Sequence, residues 1–127
     1  MPCPHCTADV VAFAVPPSLR EYAPADATAI CTRCLRTVEA DETGVTPSSQ
    51  PDLSAVDPAF PGGEAGIALA LVCGQLDSFA LNRASIEALV EHAERKGADA
   101  FAFLDRLDAS EAAFDLDRRR AALLDGL

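Results

Sequence analysis

The chain has no tryptophan, and Lys96 is its only lysine among ten basic residues, set against twenty acidic ones. That shortage of positive charge excludes a basic half or basic tail of the kind that carries nonspecific nucleic-acid binding. The deficit is even: residues 1–63 and residues 64–127 each carry a formal charge of −5, making −10 in all. The longest apolar run, Ile67 to Cys73, is seven residues, where a membrane helix needs roughly 20. No basic segment and apolar stretch of the signal-peptide kind precede Cys3. These absences together lead to the expectation of a soluble, cytoplasmic protein.

Catalytic patterns are equally scarce. The stretch Gly62-Gly63-Glu64-Ala65-Gly66 has neither the preceding strand nor the lysine of a phosphate-binding loop. No Ser–His–Asp or Cys–His set is indicated by the two histidines, His5 and His92. His92 lies beside Glu91, Glu94 and Arg95 in a helical pattern, and with Glu87 these acids could imitate a metal-binding or acid–base face. A solvated helix histidine is the simpler reading, since no second Glu-x-x-His segment accompanies it. The only basic run, Arg118-Arg119-Arg120, fans over about 200° of a helix and suits pairing with Asp115, Asp117 and Asp125 on the same helix.

What is present is weighted toward aspartate, arginine and alanine. Twelve of the acids are Asp, and nine of the ten bases are Arg. An acidic, lysine-poor surface keeps a protein soluble in concentrated salt, where a Debye length of about 3 Å screens its self-repulsion. The composition therefore points to a halophilic, archaeal cytosol, with an ordinary acidic protein as the alternative.

Cysteine carries the strongest pattern. Cys3-x-x-Cys6 and Cys31-x-x-Cys34 are separated by 24 residues. Two residues between thiols let one tight turn aim both sulfurs at a point, and two such turns make the tetrahedral thiolate set that zinc prefers. In a reducing cytosol such pairs are metal ligands or redox centres more often than disulfides. One structural Zn²⁺ on Cys3, Cys6, Cys31 and Cys34 is the leading expectation; rubredoxin-like iron and redox dithiols are the alternatives. A closed four-thiolate site leaves no position for a reacting water, so it argues for structure over catalysis. His5, inside the first turn, is expected outside the ligand shell. Cys73, in the most apolar stretch, is expected to be a buried small hydrophobe.

The pattern along the chain predicts an α+β fold in three parts. Residues 1–42 form a β-rich zinc ribbon, with strands over Val10–Val15, Ala27–Ile30 and Leu35–Ala40. Residues 43–63, rich in proline, glycine and serine, read as a linker, although Leu53, Val56 and Phe60 are spaced to clamp it onto the helical part of the chain. Residues 64–127 form a bundle of three to four helices. These are expected over Glu64–Leu81, from Arg83 or Ser85 to Lys96, over Asp99–Leu107 and over Ala112–Asp125, with Leu116, Leu123, Leu124 and Leu127 inward on the last. Gly97 stops the second helix.

At Cys3-Pro4-His5-Cys6, Val11 to Pro16, Leu19 to Tyr22 and Cys31 to Arg36, the chain resembles small haloarchaeal zinc-ribbon proteins of unknown function. Ala68 to Leu71, Leu76 to Leu81 and Leu104 to Leu107 are similar to the helical half of the same family. The resemblance implies fold and metal, and no activity. The ribbon is also similar to the CPxCG type, but Thr7 and Leu35 stand where that pattern has glycine. That departure bears on the amide–sulfur geometry of each turn and leaves the ligands as they are.

Three candidate functions emerge, in order. The first is a non-enzymatic adaptor with a protein partner. The second is a nucleic-acid-binding or transcription-associated ribbon using Arg20, Arg33 and Arg36. The third is an enzyme built around His92 and the neighbouring glutamates.

Overall fold

The computed structural model describes residues 3–108 and 110–126, and the fold is α+β. Three strands, β1 (Val10–Ala14), β2 (Ala27–Cys31) and β3 (Thr37–Glu39), form an antiparallel sheet in the order β1-β2-β3. Among the described residues four α-helices follow: α1 (Gly63–Gln75), α2 (Phe79–Arg95), α3 (Ala100–Arg106) and α4 (Leu116–Gly126).

Register is what positions the cysteines. Val10 stands opposite Cys31 and Val11 opposite Ile30. The residues just before β1 are therefore brought to the end of β2, and the two Cys-x-x-Cys turns meet at one edge of the sheet. Pro16 and Pro17 end β1, because proline cannot donate to a ladder; a 3-10 turn over Pro17–Tyr22 comes next and buries Leu19. Outside the sheet, Ser48 extends the edge of β1, with its carbonyl accepting the Ala14 N–H at 2.9 Å.

α1 is apolar all round, and every residue from Ala65 to Cys73 is buried, as a central helix requires. It ends at Gln75, short of the Leu81 expected from the sequence. A 3-10 turn over Leu76–Ser78 then leads directly into α2 at Phe79. α2 buries Ile86, Leu89, Val90 and Ala93 at helical spacing and ends at Arg95, with Gly97 at φ 93°. α3 is capped by Asp99, whose carboxylate accepts the Ala102 N–H at 3.0 Å. α4 starts four residues later than expected because Asp115 accepts the Arg118 N–H and so sets the N-terminus there. Leu123 is buried and Leu116 packs against the core; Leu127 and the side chain of Leu124 lie outside the described residues.

One hydrophobic cluster runs through the molecule. Phe13, Val15, Leu19, Ile30 and Leu35 of the N-terminal part share it with α1, α2, α3 and Leu123. The stretch 43–63 contributes Leu53 and Phe60, and the Phe60 ring meets Phe103 edge-on with centroids 4.7 Å apart. Asp57, itself buried, accepts the Ala59 N–H at 2.8 Å and the Asp108 N–H at 3.0 Å, which ties this stretch to the end of α3. Gly74 of α1 lies so close to β3 that a Cβ there would overlap the Thr37 side chain. By length and composition the helical run Gly63–Arg95 could cross a membrane, but 61% of its most apolar window is buried inside the protein.

Candidate metal centre

The first turn is closed by the Thr7 N–H donating to the Cys3 carbonyl at 2.9 Å and the Cys3 N–H to the Ala8 carbonyl at 2.7 Å. The second is closed by the Cys31 N–H donating to the Arg36 carbonyl at 3.0 Å, across the β2–β3 connection. Thr32 links them: its N–H and its hydroxyl both donate to the Asp9 carbonyl at 2.9 Å. Fold and local turns thus act together on four sulfurs that lie within 4.8 Å of one another.

Cys3 and Cys34 are 3.8 Å apart at sulfur, and Cys6 and Cys31 are 3.3 Å apart. A tetrahedral ion with bonds of about 2.3 Å spaces its sulfurs about 3.8 Å apart. The first pair already stands at that separation and the second is slightly tighter, so the four cysteines could hold a metal ion. Backbone amides face the sulfurs: His5 N–H to Cys3 at 3.4 Å, and Arg33 and Cys34 N–H to Cys31 at 3.3 and 3.4 Å. Such donors stabilise thiolate charge. Among the described residues this is the one grouping of three or more Cys, His, Asp or Glu side chains with ligand geometry.

As free thiols the four are unequal. A backbone hydrogen bond from Ala8 holds Cys6 down at about 7. Burial pushes Cys34 up to about 12 and raises Cys31. Cys3, Cys31 and Cys34 are buried, while Cys6 is only partly buried. Cys73 is buried in α1, away from this cluster, and burial raises its thiol to about 12, the state of an inert core cysteine.

The remaining candidates are placed otherwise. His5 is exposed and contributes its backbone N–H. His92 is less solvated than its helix pattern suggests: its Nε2 meets the Glu64 carboxylate at the start of α1, and its side chain is only 14% exposed. Glu87 and Glu91 pair with Arg83 and Arg95 on their own helix and do not converge on it. Arg33 pairs with Glu111 at 3.1 Å, and Arg20 donates to the Val15 carbonyl at 3.1 Å and lies 3.7 Å from Asp26. Two of the three arginines in the basic run reach beyond α4. Arg119 donates to the Leu76 carbonyl at 2.8 Å, and Arg120 pairs with Asp105 at 3.0 Å as well as with Asp117. Sequence reasoning missed the Ala113 N–H, which donates to the Cys34 carbonyl at 2.9 Å and seats the α3–α4 connection on the second turn. A backbone contact spanning that separation leaves no signal in side-chain identity.

Comparison with curated proteins and with solved structures finds no match to this chain. Over residues 2–127 the sequence matches the model of a family of unknown function, DUF6276, and the chain belongs to that family.

Proposed function

We propose that the protein is a zinc-binding, non-enzymatic adaptor in which the ion serves structure, and that it works in the reducing, salt-rich cytoplasm of a halophilic archaeon. One observation carries the reading: four cysteine sulfurs within 4.8 Å, three of them buried, with backbone amides directed at them. Such a site closes around zinc and leaves no open position for substrate or water. Cys3, Cys6, Cys31 and Cys34 are the ligands, and the ion supplies cross-linking of the two turns. The excess of acids over bases supports the salt-rich setting. The shared core supports a rigid platform for a protein partner over a freely hinged ribbon.

The test is metal analysis of protein purified under reducing conditions, followed by affinity capture of the tagged chain from native high-salt lysate. One zinc per chain and a reproducible protein partner are expected. Iron in the site, or a chain that always elutes alone as a monomer, sinks the corresponding half of the proposal. Titration with DNA and RNA at several salt concentrations tests the competing use of Arg20, Arg33 and Arg36. Here the ion pairs of Arg20 and Arg33 lead us to expect no binding with a steep salt dependence.

A further inference from the structure

The four cysteines differ in burial: Cys3 and Cys31 are each 1% exposed and Cys34 5%, whereas Cys6 is only partly buried. Cys6 also has a near neighbour, the Cys31 sulfur at 3.3 Å, and the Cys3–Cys34 pair is wider at 3.8 Å. A disulfide has sulfurs about 2.05 Å apart, so the Cys6–Cys31 pair closes by little more than about 1 Å. Cys6 lies on the turn before β1, and Cys31 is the last residue of β2. Closing that pair therefore cross-links the turn before β1 to the end of β2, two places that the Val10–Cys31 pairing already brings near each other.

We propose that the cluster is a peroxide-responsive metal-release device in which Cys6 is the sulfur attacked and Cys31 the sulfur that resolves it. The inference rests on the metal reading above and assigns it a regulation. In the first step the Cys6 sulfur attacks a hydroperoxide; an S–O bond forms, the O–O bond breaks, and the departing oxygen takes a proton to leave as water or an alcohol. In the second, the Cys31 sulfur attacks the Cys6 sulfur; the S–S bond forms, the S–O bond breaks, and hydroxide takes a proton to become water. Two thiolates lose two electrons in all and the peroxide gains them. Cys3 and Cys34 alone do not make a closed site, so the ion leaves. Cys73 takes no part, because its burial in α1 keeps peroxide away.

The experiment uses the full chain loaded with zinc, treated with one equivalent of hydrogen peroxide in the absence of reductant. Zinc is followed with a chromogenic chelator, and the thiols are mapped by alkylation and mass spectrometry. The expected result is one zinc released per peroxide consumed, a single disulfide mapped to Cys6–Cys31, and recovery of zinc binding after dithiothreitol. Cys73→Ser is expected to behave as the parent does. A chain that holds zinc but resists peroxide, keeps its metal when oxidised, or first joins Cys3 to Cys34 overturns this inference and leaves the metal reading intact. A chain that takes up no zinc under reducing conditions overturns the metal reading and this inference with it.

Discussion

Thr7 and Leu35, each the residue after the second cysteine of its turn, share one left-handed backbone conformation, with φ of 64° and 61°. They are the non-glycine residues with positive φ among the described residues. The shared geometry has a shared result: the next amide in each case, that of Ala8 or Arg36, favours the thiolate of the preceding cysteine, Cys6 or Cys34. The paired cysteine turns thus impose a conformation that ordinarily suits glycine on a β-branched residue and on a leucine.

The two positions are expected to respond oppositely to glycine. Thr7 is exposed, so Thr7→Gly relieves about 1 kcal/mol of left-handed strain, partly offset by the freer unfolded chain, and the zinc-loaded protein is expected to be unchanged or slightly more stable. Leu35 belongs to the main core, and Leu35→Gly is expected to lose roughly 2–5 kcal/mol through the cavity it leaves. Chemical denaturation of the two zinc-loaded variants checks this; equal losses would show that conformation counts for little at either site.

If zinc fills the four-cysteine site as proposed, its removal is expected to weaken the helices as well as the ribbon. Leu35, Phe13 and Ile30 pack into the same cluster as α1 and α2, and among the described residues the helices have no separate core to keep. Loss of several kcal/mol of metal-binding energy should lower the melting temperature by more than about 10 °C. Tyr22 is the only tyrosine and no tryptophan is present, so its fluorescence reports the ribbon side while ellipticity reports the helices. Both signals are expected to shift together after chelation; a helical transition left in place would separate the two halves.

Metal affinity is expected to rise with pH. Cys31 and Cys34 are held above the ordinary thiol value and Cys34 reaches about 12, so at neutral pH both keep a proton that the metal must displace. Those two protons alone make affinity climb about 100-fold per pH unit, so the full four-thiolate site climbs at least that steeply. Cys6, at about 7, adds a further proton below neutrality and steepens the slope there. Competition against a chelator of known pH dependence at pH 6, 7 and 8 measures this, and a flat profile would be incompatible with burial of the ligands.

Gly74 tests how the ribbon sits on the helices. A Cβ at this position in α1 overlaps Thr37 of β3, so Gly74→Ala is expected to cost about 1–3 kcal/mol despite the better helix propensity of alanine. Thr37→Ala removes two of the three nearest atoms and should recover part of that loss in the double variant. A stabilised Gly74→Ala protein would mean that β3 and α1 part in solution.

Much of the candidate metal centre is legible without the fold, because cysteine spacing is local: Cys-x-x-Cys makes one turn whatever surrounds it. The same holds for the strand that stops at Pro16-Pro17, for the buried run Ile67–Cys73, and for the end of α2 near Gly97, where short-range sterics and periodicity decide. Positions that depend on distant partners are not legible. The run Leu76–Leu81 looks like continuing helix, but a 3-10 turn interrupts it, with Arg119 of α4 donating to the Leu76 carbonyl there. His92 looks solvated on its own helix and meets Glu64, 28 residues away.

The sequence alone determined which four side chains could take a metal and which segments become strand or helix, because spacing and hydrophobic period act over a few residues. Only the tertiary structure decided that Thr7 and Leu35 turn left-handed, that Cys6 is only partly buried while Cys3, Cys31 and Cys34 are buried, and that Phe13, Ile30 and Leu35 of the ribbon join the core of the helices. Those outcomes come from register and packing, in which each residue's environment is made by residues far from it in the chain.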